Sequence, residues 1–180
     1  MKSYAIDEAG FATNAQFIAS PNFDARPVIE LSLIVIHNIS LPPGQYGGNG
    51  IVELFTNQLN PSEHPFYTEI HTQKVSAHFL ILRNGQLVQF VSCLNRAWHA
   101  GISSWQGRER CNDFSVGIEL EGSDFDAFES AQYLTLKTLI SSLIKKYPIK
   151  AIVGHSDIAP VRKTDPGPYF NWSQINTLLT

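Results

Sequence analysis

Cysteine is scarce: Cys93 and Cys111 are the only two in 180 residues. They are too few for a disulfide framework and not at metal-finger spacing, so free thiols are expected. Long apolar runs are missing as well. None approaches the ~20 residues that cross a bilayer, and residues 1–10 lack the apolar stretch of a secretory signal, so no membrane is expected and the expected compartment is the cytoplasm. Positive charge is in slight deficit, 13 Lys+Arg against 16 Asp+Glu, and no basic run stands out. Nucleic acid and anionic lipid are therefore not expected partners. No repeat or low-complexity linker divides the chain. The expectation is one domain over 1–180, able to bury its own core, and a monomer.

Against these absences, residues 154–168 stand out. An apolar stretch, Ile149-Lys150-Ala151-Ile152-Val153, leads to Gly154-His155, then to a proline-containing loop with Lys163 and Asp165 two positions apart. Pro166 disfavours helix at Asp165, and in extended chain residues i and i+2 share a side, which puts Lys163 and Asp165 together. The same residues would also suit a strand-ending histidine, a surface lysine and an Asp-Pro-Gly turn. A second strand breaks the tie. Leu31-Ser32-Leu33-Ile34-Val35-Ile36-His37 is a nearly continuous, β-branched apolar run of the kind buried on both faces, and it too ends in histidine before a Pro/Gly loop. If the two strands are parallel neighbours, His37, His155 and Asp165 meet beyond their carboxyl ends, where open α/β sheets collect ligands. Three protein ligands with a fourth position left for water describe a catalytic zinc.

Asp113-Phe114-Ser115-Val116-Gly117-Ile118-Glu119-Leu120-Glu121 alternates with period two, Val116, Ile118 and Leu120 on one face and Gly117, Glu119 and Glu121 on the other. Two readings fit. The second face is solvated and its glutamates are edge residues, or Glu119 is a functional carboxylate. Gly117 favours the latter, since a strand glycine often marks the close approach of a ligand or another backbone.

The other elements follow from pattern. A short helix is expected over 51–59, and a hairpin of 76–83 with 86–92 about Asn84-Gly85. The 95–112 segment shows no periodicity and is expected to wall a groove. A long helix is expected over 127–147, with Leu136, Leu139, Ile140, Leu143 and Ile144 on one face, an Asp126/Glu129 capping box and Pro148 after its end. A last short helix is expected near 173–179. The predicted fold class is α/β, a single domain with a mixed central sheet flanked by helices. His64 and His71 lie in a polar stretch and are expected to face water. His78 and His99 are expected to line the groove or be satisfied internally, with a ligand role as the alternative.

His37 after its apolar strand, Trp98-His99-Ala100-Gly101, Phe114-Ser115-Val116-Gly117-Ile118-Glu119, Arg108-Glu109-Arg110-Cys111-Asn112-Asp113-Phe114 and the 154–168 block together resemble the zinc-dependent N-acetylmuramoyl-L-alanine amidases. Phage amidases and peptidoglycan recognition proteins share that fold. The resemblance runs from about residue 15 to the C-terminus and leaves 1–15 as a peripheral segment. It implies one zinc per chain on His37, His155 and Asp165, where some relatives use cysteine as the third ligand. It implies Glu119 as acid/base and Lys163 as the residue stabilising the transition state. Substrate contacts are implied at Asn38, Trp98, Arg110 and the backbone around Ser156, with His99 lining the groove. Lys74 stands where an arginine is expected and Val161 where a glycine is common. Lysine cannot reproduce a bidentate carboxylate contact. The implied partner is a small molecule, a 1,6-anhydro-muropeptide, and the bond cleaved joins muramic acid to L-alanine. The charges alone reach only metal-assisted amide or ester hydrolysis. Some members of the fold bind peptidoglycan without cutting it, and a structural zinc domain would need a fourth protein ligand.

Overall fold

The computed structural model describes residues 3–27 and 30–179. A six-stranded sheet forms its centre. In spatial order the strands are β1 (Gln16–Phe17), β5 (Leu87–Gln89), β4 (Phe79–Ile81), β9 (Ser115–Glu121), β3 (Leu33–Ile39) and β10 (Ala151–Gly154). Among the described residues only the β4–β5 pair of this sheet is antiparallel, so the sheet is mixed, as the sequence predicts, and it is mostly parallel. Two ribbons lie outside it, β2 (Phe23–Ala25) with β6 (Asn95–Ala97) and β7 (Ser104–Trp105) with β8 (Arg108–Glu109). The segment 95–112 is thus more ordered than its lack of periodicity suggests; strands of two or three residues are too short to show a period.

The helix α3 (Ser130–Lys146) covers one face of the sheet. Its Leu136, Leu139, Ile140 and Leu143 pack on Ile34 and Ile36 of β3 and on Val116, Ile118 and Leu120 of β9, the apolar half of each alternating strand. Burial of such side chains stabilises by roughly 1.5–3 kcal/mol each. The helix starts three residues later than expected. Its capping box is Glu129 with Gln132, because Asp126 is occupied by Tyr46 Oη and Ser123 Oγ. On the opposite face, α1 (Gly50–Phe55) and α2 (Pro65–Ile70) close a second core with Leu80, Val88 and Phe90, and a third core joins Leu33, Val35 and Val153 to α4 (His155–Ile158). Among the described residues no helix is long and apolar enough to cross a membrane.

Three further expectations are corrected. The 173–179 helix is only a 3-10 turn at Trp172–Gln174. Residues 3–15 are not peripheral, since Tyr4, Ile6 and Ala12 are buried in the α3 core. His64 and His71 do not simply face water: His64 Nδ1 accepts the Phe66 amide at the start of α2, and His71 Nδ1 lies at the Tyr67 and Thr68 carbonyls. The hairpin about Asn84-Gly85 forms as a three-residue loop in which Gly85 (φ +81°) donates to Leu82 O and Leu82 donates to Gln86 O.

Candidate active site

Parallel pairing assembles the site. His37 on β3 stands opposite Glu119 on β9, and Gly154, the last residue of β10, stands opposite Ile36. The next residue of the chain, His155, therefore emerges beside His37 at the carboxyl ends of the strands. The loop after α4 returns over both. Ser156 N–H donates to Asp165 O (2.9 Å), and Gly154 has no room for a Cβ because Pro166 Cδ would lie 2.7 Å from it. These contacts bring Asp165 Oδ2 to 3.1 Å from both His37 Nδ1 and His155 Nδ1, which are themselves 3.0 Å apart.

The two imidazoles are 1% and 3% exposed, so their protons must be accounted for inside the protein. Burial pushes His37 down to about 4 against the pull of Asp165, so at pH 7 it is neutral. His155 Nε2–H donates to the Ala100 carbonyl (3.1 Å), which can only accept. His155 then turns its Nδ1 towards the Asp165 carboxylate. Acceptors held this close repel unless a cation lies among them. Two imidazole nitrogens and one carboxylate oxygen, all within 4.8 Å of one another, can hold a metal ion, and this donor set suits zinc.

Glu119 and Lys163 face the same cavity, of about 430 Å³, as do Asn38, Trp98 and His99. Glu119 is buried, and its Oε2 has no hydrogen-bond partner among the described residues. Desolvation, reinforced by the nearby Asp165 charge and opposed by Lys163, raises its carboxyl well above the usual range. Neither strand glutamate is an edge residue. Glu121 Oε1 accepts the Gly47 amide (2.6 Å) and Oε2 the Arg83 amide (2.9 Å), which ties the loop after β3 and the hairpin to β9.

The expected substrate contacts divide. Asn38 lines the cavity but donates its Nδ2 to Asp124 Oδ1 (2.7 Å). Lys74 is exposed beside the cavity-lining Gln73 and Val75. Arg110 is paired with Asp113 at 3.3 Å and lines a neighbouring groove formed by Gly101–Ser104 and Ile158–Arg162. Ser156 contributes its amide to the Asp165 loop. Sequence reasoning missed Arg162, whose Nη2 donates to Ala100 O (2.7 Å) and Ile102 O (2.9 Å), and the apolar wall of Phe55, Phe66 and Ile70. No local pattern marks them, because their partners are distant in sequence.

Gly117 explains the strand glycine. A Cβ there would lie 2.4 Å from His99 Cγ, so the glycine admits an imidazole against β9. Gly117→Ala is expected to destabilise the fold by ~1–3 kcal/mol through overpacking. Urea denaturation checks this, and an unchanged midpoint would mean that the ring moves aside freely.

Residues 26–168 match the N-acetylmuramoyl-L-alanine amidase family. The chain belongs to that family. This amidase is 52% identical over 176 residues to the 1,6-anhydro-N-acetylmuramyl-L-alanine amidase AmpD of Escherichia coli K12, with 96% of each chain covered. The crystal structure of a selenomethionine AmpD derivative superposes on it with a TM-score of 0.93 at 51% identity, over 96% of this chain and 98% of that one. The AmiD amidase of Escherichia coli, solved with its substrate anhydro-N-acetylmuramic acid-L-Ala-D-γ-Glu-L-Lys, superposes with a TM-score of 0.64 at 29% identity, covering 99% of this chain and 66% of that one. The enzyme is thus an amidase of the mixed α/β fold that the sequence motifs resemble.

Proposed function

We propose that this amidase hydrolyses the amide between the lactyl carbonyl of 1,6-anhydro-N-acetylmuramic acid and the L-alanine of a stem peptide. It would act in the cytoplasm as a cell-wall recycling enzyme, with one zinc held by His37, His155 and Asp165. The observation that carries this reading is the partnerless buried oxygen of Glu119, which shares a cavity with the three-ligand cluster and with Lys163. The extent of the likeness to AmpD and the anhydro-muropeptide bound by AmiD support the substrate class.

Zinc, when bound, supplies a Lewis acid that lowers the pKa of a coordinated water to ~7 and polarises a carbonyl. Glu119 takes a proton from the attacking water and delivers it to the alanine nitrogen as the C–N bond breaks. Water and amide thus become carboxylic acid and amine, with one water proton passing through Glu119, and the acid then yields its proton to the amine to leave carboxylate and ammonium. Its raised pKa suits the return step, since a carboxyl that binds its proton more tightly than a free one keeps it until the amine departs. Lys163 places a positive charge where the carbonyl oxygen becomes negative; removing one such donor typically costs ~10²–10³ in rate. Convergence of all five groups in one cavity favours the enzyme over a muropeptide-binding protein without activity, which would need neither Glu119 nor Lys163.

The test compares purified enzyme on anhydro-N-acetylmuramyl-tripeptide, on its non-anhydro counterpart and on intact sacculi. The anhydro tripeptide should give the highest kcat/KM. Equal or faster turnover of sacculi would overturn the recycling assignment and leave the amide chemistry standing.

A further inference from the structure

The geometry points to the Trp98–Gly101 segment as the device that sets the ring tautomers of both metal-binding histidines, with His99 as the positioning residue for His37. The Cys111 carbonyl can only accept, and Ser115 Oγ lies 2.6 Å from it, so the single hydroxyl proton of Ser115 is committed there. Ser115 Oγ is also 3.2 Å from His99 Nε2 and can only accept from it, which makes His99 an Nε2–H imidazole. Its surroundings are His37, His78 and, behind His78, the Arg26 guanidinium. With the single N–H of a neutral imidazole placed on Nε2, its Nδ1 is a lone pair. That lone pair lies 2.9 Å from His37 Nε2, which must therefore carry the proton of His37. His37 Nδ1 is left bare, directed at Asp165 and His155.

For His155 the chain is one step long, because Ala100 O accepts from its Nε2. One dipeptide thus serves both ligands, with the side chain of His99 and the carbonyl of Ala100. It is held from three sides. Asn112 Oδ1 accepts both amides, at 3.2 Å from His99 N and 2.8 Å from Ala100 N. Arg162 grips the Ala100 carbonyl from across the groove. On β9, one strand face carries Ser115 as the anchor, Gly117 as the opening for the ring and Glu119 beside the metal ligands, in a two-residue rhythm. The sequence-based role for His99 as a groove-lining residue therefore understates it. Hydrogen bonds of this kind orient a ligating imidazole and raise its basicity.

The inference deepens the zinc reading and rests on it in one arm only. Zinc affinity is measured without substrate by competition with a chromophoric chelator, and ring tautomers are read from long-range ¹H–¹⁵N correlation spectra of the zinc-free protein. In the wild type, both His37 and His155 should appear as Nε2–H tautomers. His99→Phe keeps a ring and removes the acceptor. It should weaken zinc binding ~10–100-fold and turn His37 into a tautomer mixture, with His155 unchanged. His99→Asn places an amide oxygen near the former Nδ1 and should keep most of the affinity and the His37 tautomer. Ser115→Ala removes only a hydroxyl and should loosen zinc less than His99→Phe does. It decides the matter if His99→Phe fails to fold. The inference is overturned by an Nδ1–H tautomer of His37 in the wild type, by unaltered affinity in both His99→Phe and Ser115→Ala, or by equal losses in His99→Asn and His99→Phe. A protein that takes up no zinc at all would sink the metal reading instead, and the spectra would still decide the tautomers.

Discussion

Glu119→Gln is expected to lower kcat by ~10²–10⁴, the range of general acid–base effects, with zinc content and KM little changed. It should also make the metal-free protein more stable at neutral pH. The two effects have one cause. Glu119 is buried, one of its oxygens has no partner among the described residues, and Asp165 adds a like charge nearby, so the ionised form is disfavoured in the fold. A folded-state pKa raised above the unfolded value means that the native state holds the proton more tightly. The contribution to stability is then full below about 4.5, the unfolded value, and is lost as pH rises through the raised folded pKa. Glutamine keeps the shape, carries no charge and is indifferent to pH. The stability gap between variant and wild type should therefore open above pH ~4.5 and reach ~1–3 kcal/mol, the usual cost of a buried polar group left unsatisfied. Kinetics on the anhydro-tripeptide and urea denaturation from pH 4 to 8 on zinc-free protein check both halves. Loss of zinc by Glu119→Gln would make Glu119 a ligand and refute the assignment of Asp165. A stability gap that closed as pH rose would refute the account of its burial.

Asp165→Ala, or exhaustive chelation of the wild type, should abolish turnover and leave most of the fold intact. Asp165 is the only carboxylate of the three-ligand cluster, and its removal leaves two imidazoles, too few to hold a divalent ion at working concentrations. The fold should survive because the α3 core and the α1–α2 core are built from apolar contacts that do not include the ligands, unlike a zinc finger, which has no core of its own. The readouts are activity, zinc content by mass spectrometry and far-UV circular dichroism on the same samples. Full activity with metal shown to be absent would sink the zinc reading. Global unfolding on chelation would show that the metal supports the fold as well.

What was legible in the chain had local causes. Continuous β-branched runs marked β3 and β10, alternation marked β9, Asn84-Gly85 marked the hairpin, and spaced leucines and isoleucines marked α3, because each pattern reports burial by its own period. The cluster was legible for a related reason. Both buried strands end near histidine, and parallel strands present their carboxyl ends on one edge. The short strands of 95–112 and the 3-10 turn at Trp172–Gln174 were not, since two or three residues carry no measurable period.

From the sequence alone come the mixed α/β fold, the His37, His155 and Asp165 cluster and a strand carboxylate at Glu119. Only the tertiary structure decided that Glu119 is buried with an oxygen left partnerless among the described residues, that Arg110 lies in a neighbouring groove and that His99 meets His37. Those outcomes depend on contacts such as Arg162 with Ala100 and Ser115 with His99, which form across the fold. A side chain's preference for strand or loop is written in its neighbours along the chain. The partner of its hydrogen bond is settled only when distant segments are packed side by side.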